Sequence, residues 1–172
     1  MASKIKVDQI QTGDGTGTIA LQNQLSGMTH ASVPSGSVIQ VVSATNTNTA
    51  NGGFLLQTTS TSFVSVPLAV SITPSSTSSK IMILVNTTTY RAASGYLTVY
   101  RGSTNVAGGN GLANPTLSSS SRFEPLSFSY LDSPNTTSSV QYTLYARTAS
   151  GTLYVGGDGD LINSITLMEI KG

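Results

Sequence analysis

The sequence has no cysteine, no tryptophan, a single histidine (His30) and only 9% charged residues among 172. Without cysteine there is neither a disulfide framework nor a thiolate metal site. Eight Lys/Arg and seven Asp/Glu are scattered along the chain and leave a formal charge of +1. No basic cluster forms, so a nucleic-acid platform is not expected. Long apolar runs are missing too. The longest, Lys80–Val85 (KIMILV), is strand-sized and far short of the roughly 18 residues of a membrane span, so no membrane insertion is expected. Met1–Gln11 shows no apolar core of a secretory signal. Helical periodicity is almost absent, because Gly, Pro and β-branched runs interrupt it.

What replaces charge is hydroxyl: 27 Ser and 24 Thr, where an ordinary protein carries roughly 25% charged residues. The 38% hydrophobic content and the near-zero net charge argue against disorder. A surface so poor in charge favours association, so the chain is expected to live in an assembly. Asn86-Thr-Thr and Asn135-Thr-Thr fit the spacing of glycosylation acceptors, as does chance in a Thr-rich chain.

Short runs of Val, Ile, Thr, Tyr and Phe alternate with Gly, Ser, Asn and Pro. They predict strands near Lys4–Ile10, Thr18–Leu21, Ser37–Ala44, Gly53–Thr58, Ser62–Val70, Lys80–Tyr90, Gly95–Arg101, Arg122–Leu131, Ser139–Thr148, Thr152–Val155 and Leu161–Ile170. Such dense strands predict an all-β sandwich or barrel. In Val140–Thr148, Val140, Tyr142, Leu144 and Ala146 alternate with Gln141, Thr143, Tyr145 and Arg147, a core face against a polar one. Lys80–Val85 is apolar on both faces, which predicts a central strand. Leu161–Ile170 also has two apolar faces, and a subunit interface is the simplest cover for the second. Arg91–Val99 and Arg147–Val155 share an Ala-Ser-Gly turn signal and are expected to form tight hairpins.

Residues 26–36 are small and polar, with Pro34 and two glycines, and read as a linker. Residues 1–25 carry two strand signals around Gly13-Asp-Gly-Thr-Gly17. So short a segment cannot bury a core alone and is expected to pair with another chain or dock on a larger surface. The body is residues 37–172.

Catalytic signals are weak. His30 lies in the linker, without the support a triad or metal site needs. Asp158 and Asp160, in Gly156-Gly-Asp-Gly-Asp160, are the best carboxylate pair. They could serve a glycosidase together with Glu124 or ligate Ca²⁺. The same residues also suit a plain turn, and they lack the continuation of the known calcium loops. The Gly13–Gly17 loop lacks the following helix and the Lys-Ser/Thr of a phosphate loop. Without a usable base no serine nucleophile is credible. No catalytic residue, metal or cofactor is therefore expected. The tyrosines 90, 96, 100, 130, 142, 145 and 154 suit either sheet packing or contact surfaces, and the long Gly/Asn/Ser-rich loop Gly102–Ser121 suits ligand binding.

Several phrases resemble one family. Lys4-Ile-Lys-Val-Asp-Gln-Ile-Gln11, Gly15-Thr-Gly-Thr-Ile-Ala-Leu21, Gly36-Ser-Val-Ile-Gln-Val-Val42, Ile72-Thr-Pro-Ser-Ser-Thr-Ser-Ser-Lys-Ile81, Tyr100-Arg-Gly-Ser-Thr104, Tyr130-Leu-Asp-Ser-Pro134 and Ile165-Thr-Leu-Met-Glu-Ile170 look like structural proteins of tailed phages, especially the fibre proteins of marine and cyanobacterial phages. The resemblance covers most of the chain. It implies an antiparallel jelly-roll knob similar to tumour-necrosis-factor-like trimers, preceded by a short virion-attachment arm, and no catalytic residues. The expected location is the virion, assembled in the host cytoplasm. The expected partners are two further copies of the chain, other capsid or tail proteins, and a host surface glycan. Long fibres of this kind carry a shaft between anchor and knob. Here only a linker stands between them, which favours capsid decoration or a short head fibre over a tail-fibre tip. The arm is expected to anchor by strand addition through Ile5, Val7, Ile10, Ile19 and Leu21, and the subunit interface to use Tyr142, Ile162, Met168 and Ile170.

Overall fold

A computed structural model of the chain describes residues 10–11, 18–19, 33–47, 52–90, 94–115, 123–157 and 161–172. The chain divides into two units, Met1–Val33 and Pro34–Gly172, and the division falls inside the predicted linker. In the first unit β1 (Ile10–Gln11) pairs antiparallel with β2 (Thr18–Ile19), and Ile10 stands opposite Ile19. These are two of the five expected anchor residues. Ile5, Val7, Leu21, His30 and the Gly13–Gly17 loop lie outside the described residues.

The second unit contains β3 (Val38–Asn46), β4 (Leu56–Thr58), β5 (Val64–Ile72), β6 (Lys80–Tyr90), β7 (Ser94–Arg101), β8 (Thr104–Asn105), β9 (Phe123–Asp132), β10 (Val140–Ser150), β11 (Leu153–Val155) and β12 (Asn163–Ile170). No helix occurs among the described residues. Every pairing is antiparallel: β3 with β12, β5 with β10, β6 with β9, and β7 with β8. With the short β4 and β11 set aside, the first strand pairs with the last, the second with the seventh, and so inward. That nesting is a jelly roll. It builds a four-stranded sheet, β5-β10-β7-β8, and a six-stranded sheet in which β6 is central. One edge of β6 takes β9 along its whole length, and the other takes β12 and then β11, which carry β3 and β4 outward.

The two sheets enclose an apolar core. β6 supplies Ile81, Ile83 and Val85, and β12 supplies Ile165 and Leu167. Opposite them stand Leu97 and Val99 of β7, Tyr142, Leu144 and Ala146 of β10, and Val66 and Leu68 of β5. The strand prolines are where a missing N–H costs least. Pro67 is on β5 and Pro125 on β9, both edge strands, and the β5–β10 register is irregular beside Pro67. At the rim, Asn46 Nδ2 donates to Pro67 O at 2.6 Å and ties β3 to β5.

The two Ala-Ser-Gly phrases are not hairpins. β6 lies in the six-stranded sheet and β7 in the four-stranded one, while β10 and β11 make the reverse crossing. Gly151 has φ 69° and does supply a left-handed turn position. Gly95 does not. It sits inside β7 opposite Thr148, and a Cβ there would lie 3.0 Å from Leu153 Cδ1. It is a glycine for space between the sheets, a need that local sequence does not distinguish from a turn.

Asp132, the last residue of β9, joins the sheets. Its Oδ2 accepts from Arg101 Nη1 of β7 at 2.6 Å and from the Tyr142 hydroxyl of β10 at 2.7 Å. Arg101 Nη1 also donates to Ser133 O. Tyr142, expected at a subunit interface, is 0% exposed and belongs to this internal clamp. Alternation put it on the core face of its strand, and its hydroxyl is satisfied inside. Burial first, and then the hydrogen bond and charge of Asp132, push its phenol well above the ordinary value, against a smaller opposing effect of Arg101. The folded state thus favours the neutral phenol. That contribution is complete below about pH 10, the ordinary tyrosine value, and is lost as pH rises above it. Tyr142→Phe is expected to lower stability by about 1.5–3 kcal/mol at neutral pH, the range for a hydrogen bond to a charged group. It should also flatten the alkaline limb of stability by up to about 1.4 kcal/mol per pH unit. Urea unfolding of both proteins across that range checks this, and identical limbs would refute the clamp's protonation state.

Candidate functional site

Alternation sends every second side chain of each sheet outward, and the two outward faces differ. On the six-stranded sheet the cross-strand register lines up Val41 (β3), Met168 (β12), Met82 (β6) and Leu131 (β9), each directly opposite the next. Val41 is 55% exposed and Leu131 42%, while Met82 and Met168 are half-buried by their neighbours. Ile170 stands opposite Val38 beside this row. Among the described residues, nothing in the unit covers this apolar row across four strands.

Next along the same face come polar residues. Ser43 and Thr166 share a hydrogen bond of 2.9 Å, and Ser127 Oγ donates to Asn86 Oδ1 at 2.7 Å. Beyond them is an aromatic cluster of Phe54, Tyr90, Phe123 and Tyr154. The Phe54–Tyr154 centroids are 4.6 Å apart and the Tyr90–Phe123 centroids 4.7 Å. Phe123 fits there because Gly157 has no side chain; a Cβ on Gly157 would lie 2.5 Å from the ring.

The outer face of the four-stranded sheet is built around Arg147 of β10. Its guanidinium lies 4.0 Å from the Tyr96 ring centroid and 5.2 Å from that of Phe63, within cation–π range of both. Nη2 donates to Asn110 Oδ1 at 2.8 Å. Tyr100 and Tyr145 pack beside it in a tilted pair with centroids 4.1 Å apart. The loop that carries Asn110 is pinned to β7. Leu97 N donates to Ala113 O at 2.8 Å, Thr98 Oγ1 donates to Asn105 Oδ1 at 2.6 Å, and Gly111, at φ 94°, lies so close that a Cβ would be 2.6 Å from Leu97 O. A cleft of about 210 Å³ remains between Tyr96 and residues 110–114 of this loop.

Of the expected interface residues, Met168 and Ile170 fall on the outward face of the six-stranded sheet. Ile162, 69% exposed, lies just ahead of β12. Asp158 and Asp160 lie outside the described residues. Glu124 is half-buried at the start of β9 opposite Thr89. Glu169 faces inward, where its Oε1 accepts from Ser75 N and Oγ at 2.7 and 2.6 Å. Among the described residues no group of three or more His, Asp or Glu could hold a metal. Sequence reasoning pointed to the loop that carries Asn110 but missed Val38, Val41, Met82, Leu131, Phe54, Phe63 and Arg147 as surface-site residues. The alternation of the strand residues was visible; which strands lie side by side was not, and Phe54, Phe63 and Asn110 lie outside the strands.

Gly111→Ala is expected to destabilise the protein by about 1–3 kcal/mol through backbone strain and to free the loop. Amide hydrogen exchange at Leu97 and Ala113 should then quicken while β12 stays protected. Compared with protein-family models and with curated proteins, the chain matches none.

Proposed function

We propose that this protein is a non-enzymatic structural component of a virus particle. It is a homotrimer that decorates a capsid or forms a short head fibre, anchored by its N-terminal arm. The observation that carries the assembly is the unburied row Val41–Met168–Met82–Leu131, continued at the other end of the face by the Phe54–Tyr154 aromatic cluster. Apolar rows and Tyr/Phe clusters of this kind are what subunit contacts bury. Low charge supports the same reading, since little must be desolvated when such a face is covered. The assignment to a virion rests on the phage-like phrases of the sequence. For the arm, the opposed Ile10 and Ile19 of a two-stranded ribbon support attachment by strand addition. A second reading, an adhesin at the tip of a tail fibre, is favoured by the Arg147 cluster and the cleft beside it.

Light scattering at micromolar concentration is expected to give three times the 17.7 kDa chain mass. Met168→Lys should shift it to a single chain with thermal unfolding preserved, because the side chain points away from the core. A wild-type mass of one chain would overturn the trimer. Deleting residues 1–33 should abolish attachment to particles and leave the sandwich folded, as read by binding to particles stripped of the protein. Retained attachment would overturn the role of the arm.

A further inference from the structure

We infer that the outer face of the four-stranded sheet binds an acidic saccharide, with the Arg147 guanidinium receiving the sugar carboxylate and the Tyr96 side of the 110–114 cleft receiving the ring. This rests on the adhesin reading and adds the site and the ligand class to it.

The first argument is charge. Arg101 is ion-paired with Asp132 at 2.6 Å, so its charge is spent inside the sandwich. Arg147 is held instead by two aromatic rings and by the neutral Asn110 amide oxygen. A guanidinium with an amide partner keeps its full positive charge and several unused N–H donors. Its planar fork suits a carboxylate held by two hydrogen bonds. Rings on either side restrict its rotation, so little conformational freedom remains to be lost on binding.

The second argument is the surroundings. Phe63, Tyr100 and Tyr145 form an aromatic strip along the segment before β5, β7 and β10, and the Arg147 guanidinium bridges it to Tyr96. Aromatic surface with a polar tip suits the mixed C–H and hydroxyl surface of a sugar ring. Asn110 and Asn114 at the cleft supply neutral amide donors and acceptors. The cleft wall is preformed, because Gly111 and the Leu97–Ala113 bridge fix the loop against β7. Among the described residues of this face Arg147 is the one cation, too little for a polyphosphate strand, which needs many, and enough for one carboxylate.

The test is a titration of the full chain followed by amide NMR, with a glucuronic-acid-terminated oligosaccharide, its glucose-terminated counterpart and a short glutamate-containing peptide as probes. The glucuronate probe is expected to saturate in the millimolar range and to shift residues 96, 110–114 and 147. The glucose probe should bind about tenfold more weakly, the loss of one charged contact. Arg147→Gln should erase that difference. Asn110→Ala, on an exposed loop and remote from the core, should weaken glucuronate binding severalfold with the fold intact. Equal binding of both sugars, or an acid preference that survives Arg147→Gln, would overturn the inference while leaving an adhesin. An acidic peptide bound as tightly as the glucuronate probe would overturn the saccharide. No saturable binding of either sugar would overturn both the inference and the adhesin reading.

Discussion

Side chains on a strand point alternately to its two faces, and in a two-layer sandwich that rule decides the outer surface as firmly as the core. Once Ile81, Ile83 and Val85 of β6 and Ile165 and Leu167 of β12 turn inward, Met82, Leu84, Met168 and Ile170 must turn outward. They cannot be withdrawn without slipping the register by one residue, which would expel the core set. The apolar row across β3, β12, β6 and β9 is therefore a built property of the fold. Hydroxyls could have occupied those positions, as they do at Ser43, Thr166, Ser127 and Ser129 further along the same face.

The jelly roll imposes a second constraint, because six of the nine connections from β3 to β12 cross between the sheets. Two layers held by apolar contact alone could slide, whereas Asp132 fixes their relative position by accepting from Arg101 and Tyr142 of the opposite sheet. A buried carboxylate is costly unless fully hydrogen-bonded, and here two donors meet one oxygen. The inner face carries hydroxyls as well. Thr87 donates to Asn163 Oδ1 at 2.8 Å, and Asn163 Nδ2 donates to Asn46 O and Leu161 O. A sequence with so much Ser and Thr places some of them inside, and these bonds limit the cost.

Most of the strands were legible because β-branched and aromatic runs were punctuated by Gly, Ser, Asn and Pro. Lys80–Tyr90 was read to the residue, and Leu161–Ile170 differs only by its first two positions. Other features were not legible. The Thr104–Asn105 strand is two residues long and exists only because β7 offers an edge. The paired Ala-Ser-Gly phrases resembled hairpins because Gly95 and Gly151 look alike locally, while their roles differ through a contact with Leu153 distant in sequence. Tyr142 was placed on the right face of its strand but assigned to the wrong neighbour. Its partner Asp132 comes from the other sheet, and no local pattern announces that. The candidate sites were hidden for the same reason. Val41, Met82 and Leu131 are far apart in sequence and meet only through register, while Phe63 and Asn110 reach Arg147 from the segment before β5 and from a loop pinned to β7.

Register also separates the two outer faces in chemistry. The six-stranded sheet presents thioether and aliphatic groups, then hydroxyls, then aromatic rings. A partner surface must match that order to cover it, and in a trimer that surface would be a different patch of the next copy, because ring contacts are head-to-tail. The four-stranded sheet presents a cation held between rings beside an open cleft, which an apolar partner would leave desolvated and unpaired at substantial cost. If one face is to be covered by protein and the other left to solvent, this electrostatic difference selects which. A subunit contact through the six-stranded sheet would leave the Arg147 face directed away from it, because the two outer faces of a sandwich point in opposite directions.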